Sequence, residues 1–502
     1  MIGFDIGTTR SKIANMDPAG KANIIPNDRG DTWTPSVVYY PQSGDPLVGS
    51  DAVEQGYIDP ARCVKNFKLK LGTTEDLVQN GRNVTATDAT ADLICYLKKI
   101  AEKQLGIAVK ECVVTCPANF RDDSKQALLE ACKRNGLEVM RLVPEPTAAG
   151  FAYALNKGGE KKVLVYDFGG GTFDVSVQHS KDTQITILAT EGVRKLGGND
   201  INQCLKKRVL DEVQRKLGSV PSADSDPLFS SDLDHRVETT KISLNNRDKV
   251  PTVIHLNGNQ VVVEISQEDF HKDIDPLIQQ SLDAVDRALK AACLTFRDID
   301  HLIMVGGTSR MQYIQKKVAD HTGLYPKTDI DPDKAIAYGA AYASIAEMNK
   351  QGKTASIRGQ VIPAPEIFYR DVTAHSVGCC VVDTSGPNKR LINAVIIPKN
   401  TPIPHQKSEP FFLEHEDQEQ AKIEILQGES NADRDKCLII GELILKNLPK
   451  ETKRTARILV DYTINANGMV TATATDKVSG QQQTVSVDYK KGLKPKDKPP
   501  MV

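Results

Sequence analysis

Two short stretches of this 502-residue chain hold the residue types that handle phosphate. In one, Asp5 is followed by Gly7, Thr8 and Thr9; in the other, Asp167 is followed by Gly169, Gly170, Gly171 and Thr172. Glycine lets the backbone approach an anion closely, successive N–H groups form an anion-binding concavity, and a carboxylate can hold a hydrated cation. Either turn alone reads as a tight hairpin, because Gly and Thr are ordinary turn residues. Both follow a short apolar run that ends in Asp, and the pair together points to the phosphate chain of a nucleotide with its metal. The segments IGFDIGTTRSKIANM and VLVYDFGGGTFDVSVQ both read strand, Asp, turn and returning strand. That echo suggests a duplicated domain with a cleft between its halves.

Other chemistries lack their residues. Gly352-Lys353-Thr354 looks like the end of a P-loop, but the upstream position that must be glycine is Glu347, and the segment follows a helical pattern rather than a strand. No G-x-G-x-x-G follows a strand, which argues against a dinucleotide fold. The ten cysteines are scattered, without C-x-x-C pairs or zinc spacing, and read as reduced, packed thiols. A net charge of −1 supplies no field to recruit nucleic acid or an anionic membrane. The start lacks the apolar stretch of a signal peptide and no run is long enough to span a bilayer, so a cytoplasmic protein is expected.

The elements that must position these residues follow from the hydrophobic pattern. Up to about residue 350, short apolar runs such as CVVTCPANF and LIMVGG alternate with helical patterns such as QALLEACKRNG, as in an α/β domain. Around 350–365 the chain turns polar, with Gly and Pro, as a domain boundary does. From Asp371 to about Tyr489 two-residue alternation takes over: Ala421, Ile423 and Ile425 share one face of a strand, as do Ile458, Val460 and Tyr462. Asn467-Gly468 predicts a type I′ hairpin turn, and the whole region an antiparallel β-sandwich. Expected boundaries are 1–360, a linker 361–372, a β domain 373–492 and a basic tail 493–502.

In order and rough spacing, DIGTTRSK, VVTCPANF, LVPEPTAAGFAY, VYDFGGGTFDVSV, LGGND, MVGGTSRM and DPDKAIAYGAA resemble the 70-kDa heat-shock (DnaK-type) molecular chaperones. DVTAHSVG, NTPIPHQKS, ILQGE and NANGMVTATATD extend the resemblance over nearly the whole chain. It implies an α/β, actin-like (ribonuclease H-like, duplicated) nucleotide-binding domain followed by an antiparallel β-sandwich. The implied function is that of an ATP-dependent chaperone, an ATPase whose turnover regulates binding and release of extended apolar peptides. A sugar kinase on the same superfamily fold has no use for the β domain. A nucleotide-binding scaffold without turnover would not need Lys68, Glu145, Asp167 and Thr172. Family members continue into a helical lid, and nothing helical follows Gly492, so a lidless or C-terminally truncated form is expected.

The resemblance also assigns residues. Asp5, Glu145 and Asp167 would hold Mg2+, mainly through water, and Asp5 and Asp167 would help coordinate K+. Gly7, Thr8, Thr9, Arg10 and Gly169 to Thr172 would surround the phosphates of ATP or ADP, with Gly197 and Gly198 beside them. Lys68 matches the lysine that positions the attacking water and γ-phosphate, with Lys70 its near competitor. Glu145, between Pro144 and Pro146, would open a helix. Glu238, Lys241 and Asn245 would clamp the adenosine against Gly306, Gly307, Thr308 and Arg310, and Asp331-Pro332 reads as a helix N-cap and first turn that brings Asp333 near. Ile242 and Asn245 replace the family's usual arginine and serine, and TTEDLVQNGRNVTATDA is shorter than its counterpart.

For coupling, Ile367, Phe368 and Tyr369 form the apolar linker, interrupted by Arg370. Pro117 and Lys125 match an interdomain relay, and Arg141 and Asp371 match positions that meet a J-domain co-chaperone. A nucleotide exchange factor is a further implied partner, and the chain is expected to be a monomer. The peptide groove maps onto Cys379, Val382, Phe411, Ala421, Ile423 and Ile458, with Glu414 in place of a small apolar residue arching over the peptide. For Ile458, a plain core position explains the residue equally well.

Overall fold

The computed structural model describes residues 2–78, 83–157, 159–218, 220, 226–256, 258–327, 331–354, 356–357, 360–362, 368–383, 388–413, 418–429, 432–450 and 456–486. Two compact units emerge: residues 1–70, 75–118 and 131–368, and residues 71–74, 119–130 and 369–502.

In the first unit, both turns sit at the ends of buried strands in mixed sheets. One sheet runs Ala22–Ile25, Arg10–Met16, Ile2–Asp5, Glu111–Cys116, Glu138–Pro144. The first three strands are antiparallel, whereas Glu111–Cys116 adds parallel to Ile2–Asp5 on its other side. The strands Gln184–Val193, Phe173–Lys181, Glu160–Phe168 and His301–Val305 repeat that order and those directions in a second sheet. Strand–turn–strand segments place Asp5 and Asp167 where each first strand gives way to its turn. Helix Ala335–Lys350 is apolar on nearly all sides and correspondingly buried. It crosses so closely that a Cβ on Gly3 would lie 2.4 Å from the Ala340 backbone, and one on Gly339 would lie 1.8 Å from the Ala148 carbonyl.

Two antiparallel four-stranded sheets make up most of the second unit: Arg390–Ile397, Val377–Asp383, Gln420–Gln427, Leu438–Lys446 in one, and His405–Phe411, Ile458–Ile464, Val470–Asp476, Gln482–Ser486 in the other. Alternation sends Val377, Ile397, Ile425 and Leu443 from the first and Val460, Tyr462, Ile464 and Ala472 from the second into one core. The hairpin at Asn467-Gly468 is present, but not as a type I′ turn. Only Gly468, at φ 71°, is left-handed; its N–H donates to the Asn465 carbonyl, while the Asn465 side chain accepts from the N–H groups of Asn467 and Met469. Local capping by Asn465 thus replaces the positive φ expected at Asn467.

The boundaries also differ from the expected ones. Residues 119–130, expected in the first domain, group with the second unit. Buried Asp122 accepts from the Val470 N–H at 3.1 Å and the Gln427 amide at 3.1 Å, while its own N–H donates to Gln427 at 3.2 Å. Lys125 reaches the Gly468 carbonyl at 3.4 Å. His375 donates through Nε2 to the Asn119 carbonyl at 2.9 Å, and burial pushes its pKa down to about 4. The expected linker is also partly a strand, Phe368–Val372, whose Phe368 N–H donates to the Thr183 carbonyl within the first unit.

Arg457 and Asp476, 2% and 0% exposed, form a buried two-bond pair at 2.5 and 2.8 Å. The Arg457 hydrogen bonds hold the Asp476 carboxyl well below the usual range, against the effect of burial. Because the folded pKa is depressed, this stability is present above the unfolded value of about 3.9 and fades as pH falls toward the folded one. Arg457→Met should lower the stability of this unit at neutral pH by about 3 kcal/mol in urea unfolding. The gap from the unsubstituted protein should narrow progressively as pH falls below about 4.

Candidate functional site

A cavity of about 490 Å³ in the first unit is lined by both Asp/Gly/Thr turns. They lie against each other: a Cβ on Gly170 would meet the Thr9 side chain at 2.7 Å, and one on Gly171 the Thr8 methyl at 2.7 Å. Behind them, Gly198 N–H donates to the Gly169 carbonyl and Asn199 N–H to the Gly170 carbonyl, at 3.0 and 2.8 Å. A Cβ on Gly197 would sit 2.4 Å from the Gly171 nitrogen. Thr308 adds a 2.8 Å hydrogen bond to the Gly169 carbonyl. Gly306 takes φ 86° to pass the Phe168 carbonyl. The turns are thereby held open as a backbone-lined cradle.

The cavity floor is acidic. Asp5, Glu145 and Asp167 are 4%, 6% and 4% exposed. Glu145 opens helix Glu145–Lys157 directly after strand Glu138–Pro144, as its flanking prolines predict. Lys68, 2% exposed, donates to Glu145. Burial alone would neutralise that ammonium, but the charge and hydrogen bond of Glu145, with Asp5, outweigh it and keep Lys68 protonated. Burial raises the Glu145 pKa against the pull of Lys68. Asp167 is pushed well above the carboxylate range, first by burial and then by the charges of Glu145, Asp174 and Asp5; its Oδ2 has no hydrogen-bond partner among the described residues. Lys70, by contrast, is 44% exposed and pairs with Glu75 at 2.6 Å, so of the two competing lysines only Lys68 lines the cavity.

Helix Pro227–Leu244, which contributes Glu238 and Lys241, and the segment Gly306–Arg310 also line the cavity. Burial lowers the Lys241 pKa, with Glu238 opposing. Arg310 pairs with Asp331 and Asp333 at 3.1 and 2.7 Å, and Asn245 and Asp333 also line the cavity. Asp331 is not the helix N-cap expected from the sequence. The helix starts at Ala335, and Asp331 caps the preceding turn by accepting from the Asp333 N–H at 3.1 Å. Sequence reasoning passed over Lys12, 3.6 Å from Asp5; its signal was its place two residues beyond Arg10, on the same strand face.

The remaining sequence-predicted residues lie outside this cavity. Ala421 and Ile458 belong to the β-unit core, Cys379 is buried, Phe411 and Ile423 are half-buried, and Val382 is 38% exposed opposite Leu391. Pro117 ends strand Glu111–Cys116, Arg141 and Asp371 are buried, Tyr369 is half-buried and Phe368 is exposed. Glu414 and Ile367 lie outside the described residues.

The family model described as Hsp70 protein matches residues 1–502. The chain belongs to the Hsp70 family. The chaperone protein DnaK of Thermotoga neapolitana is 35% identical over 99% of this chain and 82% of its own length. That of Thermosipho melanesiensis is 33% identical over 99% and 81%. All ten cysteines are free, and no helix among the described residues is long and apolar enough to cross a membrane.

Gly197→Ala tests the cradle. Its methyl cannot be accommodated by side-chain movement, because the neighbouring atoms are backbone. The variant should stay folded by circular dichroism but lose about tenfold or more in ADP affinity by calorimetry, in keeping with overpacking costs of about 1–3 kcal/mol.

Proposed function

We propose that the cavity binds ATP and ADP with Mg2+, that Lys68 drives hydrolysis, and that turnover governs capture of extended apolar peptide by the β unit. As a member of the Hsp70 family, the chain is an ATP-dependent chaperone with ATPase activity, and it binds unfolded polypeptides. One observation carries the site assignment: the acidic floor of Asp5, Glu145 and Asp167, with Lys68 inserted, lies beneath two backbone cradles. No three described carboxylates converge closely enough to ligate a bare ion. The unpartnered Asp167 Oδ2 and the buried excess of acid suit a hydrated Mg2+ held through its waters, and Asp5 and Asp167 could share a K+. Bound Mg2+ would neutralise charge on the phosphates.

The protein's own part is positioning. N–H groups of the two turns and the hydroxyls of Thr8, Thr9 and Thr172 hold the phosphate oxygens. Lys68, kept charged by Glu145, sets a donor where charge develops on the γ-phosphate and attacking water, without covalent participation. Glu238, Lys241, Asn245, Gly306, Gly307 and Arg310 enclose the adenosine. The two similarly ordered mixed sheets support a duplicated, actin-like fold for the first unit, and the β unit takes the peptide-binding role.

For peptide capture, Val382 and Leu391 face each other across adjacent strands at 38% and 47% exposure, and Phe412 is 57% exposed. These are apolar contacts of the kind an extended chain would cover. A J-domain co-chaperone, a nucleotide exchange factor, a monomeric state and a cytoplasmic location complete the proposal. The deciding experiment is single-turnover ATP hydrolysis. Lys68→Ala should bind ATP yet hydrolyse it about 100-fold more slowly, and Lys70→Ala should retain normal turnover. Normal turnover by Lys68→Ala would remove Lys68 from the mechanism.

A further inference from the structure

The second unit holds a titratable side chain for which nucleotide and peptide binding give no use. His375 sits in the short loop 373–376, just before strand Val377–Asp383. That loop is tied down at both ends. Thr373 N–H donates to the Thr401 carbonyl and Asn400 N–H to the Thr373 carbonyl, both at 2.9 Å. Gly428 N–H donates to the Ser376 carbonyl at 3.0 Å, and Lys399 N–H to the Ser376 hydroxyl at 2.9 Å. The imidazole is thereby held in one place, partly buried, with Nε2–H donating to the Asn119 carbonyl at 2.9 Å.

Asn119 opens the segment 119–130, which packs on the β sheets of this unit. Its other polar contacts there join Asp122 to Gln427 and Val470, and Lys125 to the Gly468 carbonyl. Of these groups only His375 has an ordinary pKa between 5 and 8. Burial first, and then the charges of Lys399, Lys125 and Arg121, hold it down at about 4, against the pull of the Asn119 hydrogen bond. Nearby acids have other partners: Asp123 pairs with Arg121 at 3.3 Å, and Glu429 accepts from the Ser376 hydroxyl at 3.4 Å. A proton added at Nδ1 therefore places a charge among three cations, on a loop whose backbone is fixed. The segment 119–130 is then the side that yields.

We propose that His375 is a proton-controlled clasp: neutral, it holds residues 119–130 on the β unit, and protonated, it lets them go. The clasp lies outside the nucleotide cavity and does not rest on the reading of that site. Because the packed pKa is below the ordinary 6.5, the contribution of His375 is whole above about pH 6.5 and is lost as pH falls toward 4. Asp122 works in the opposite sense. Burial pushes its carboxyl up, so proton uptake there favours the packed form. A comparison in which Asp122 is left unchanged isolates the part due to His375.

The experiment is amide hydrogen exchange of the full chain at about pH 7.5 and about pH 5.5, read as protection relative to the intrinsic rate at each pH. The reporters are the N–H groups of Asp122 and Val470, which close the contact from its two sides. In the unsubstituted protein their protection should fall about tenfold at the lower pH, the factor expected for a histidine moved from 6.5 to about 4. His375→Gln, which keeps a donor for the Asn119 carbonyl but cannot be charged, should hold its protection at both pH values. His375→Leu, which loses the donor as well, should be less protected by the same factor at both. Equal protection at the two pH values in the unsubstituted protein would overturn the proposal whatever the variants do. A tenfold fall shared by all three proteins would overturn it too, by placing the response on another group.

Discussion

The buried Lys68–Glu145 ion pair is the contact on which the cleft is organised. Removing two charges from water costs several kcal/mol per ion, and a single pair recovers this only with good geometry and further polar partners. Here the pair sits among two more buried acids, Asp5 and Asp167, with Lys12 beside Asp5, so acidic groups outnumber basic ones. A hydrophobic core would have no reason to tolerate that excess. The proposed ligand would account for it, because a cation would meet the acids and the phosphates would meet the cradle. Burial first, and then the charges of Glu145, Asp174 and Asp5, push the Asp167 pKa up.

Much of the first unit serves to hold that arrangement without side-chain adjustment. Two sheets with the same order and directions deliver Asp5 and Asp167 at equivalent strand ends. Contacts at Gly170, Gly171, Gly197 and Gly306 leave no room for a Cβ, so the cradle is made of backbone whose N–H groups are fixed before any ligand arrives. Preorganisation of this kind is where electrostatic catalysis of phosphoryl transfer gains most, since nothing must reorient as charge develops.

How far the sequence could be read depended on how local the determining interactions are. The Asp/Gly/Thr turns were legible because glycine, a preceding apolar strand and a carboxylate coincide within a few residues, twice. The β-strand faces at Ala421–Ile425 and Ile458–Tyr462 were legible because strand alternation has a period of two. Lys68 against Lys70 was not decidable from spacing. The structure makes the choice in the short 3-10 turn Phe67–Lys70, which follows Asn66 at a left-handed φ of 56° and buries Lys68 but not Lys70. The cap at Asp331 was misread by one turn, because Asp331 meets the Asp333 N–H before the helix can begin. The grouping of residues 119–130 with the β unit was invisible, because Asp122 finds Gln427 and Val470 more than three hundred residues away in sequence. The peptide groove was legible only in part: the alternation that marks Ile458 as groove-facing marks it equally as core, and its burial places it in the core cluster.

Nucleotide chemistry becomes chaperone activity only if it biases a second site, and by linkage that bias is a difference in peptide binding between nucleotide states. Differences between related complexes reside mostly in dissociation rates. The most direct measurement is therefore stopped-flow release of a labelled, extended apolar peptide from the full chain, with ADP and then with ATP. The account predicts release about tenfold or more faster with ATP, in line with ordinary coupling energies of about 1–3 kcal/mol. Identical release rates in ADP and ATP, with both nucleotides shown to be bound, would contradict it.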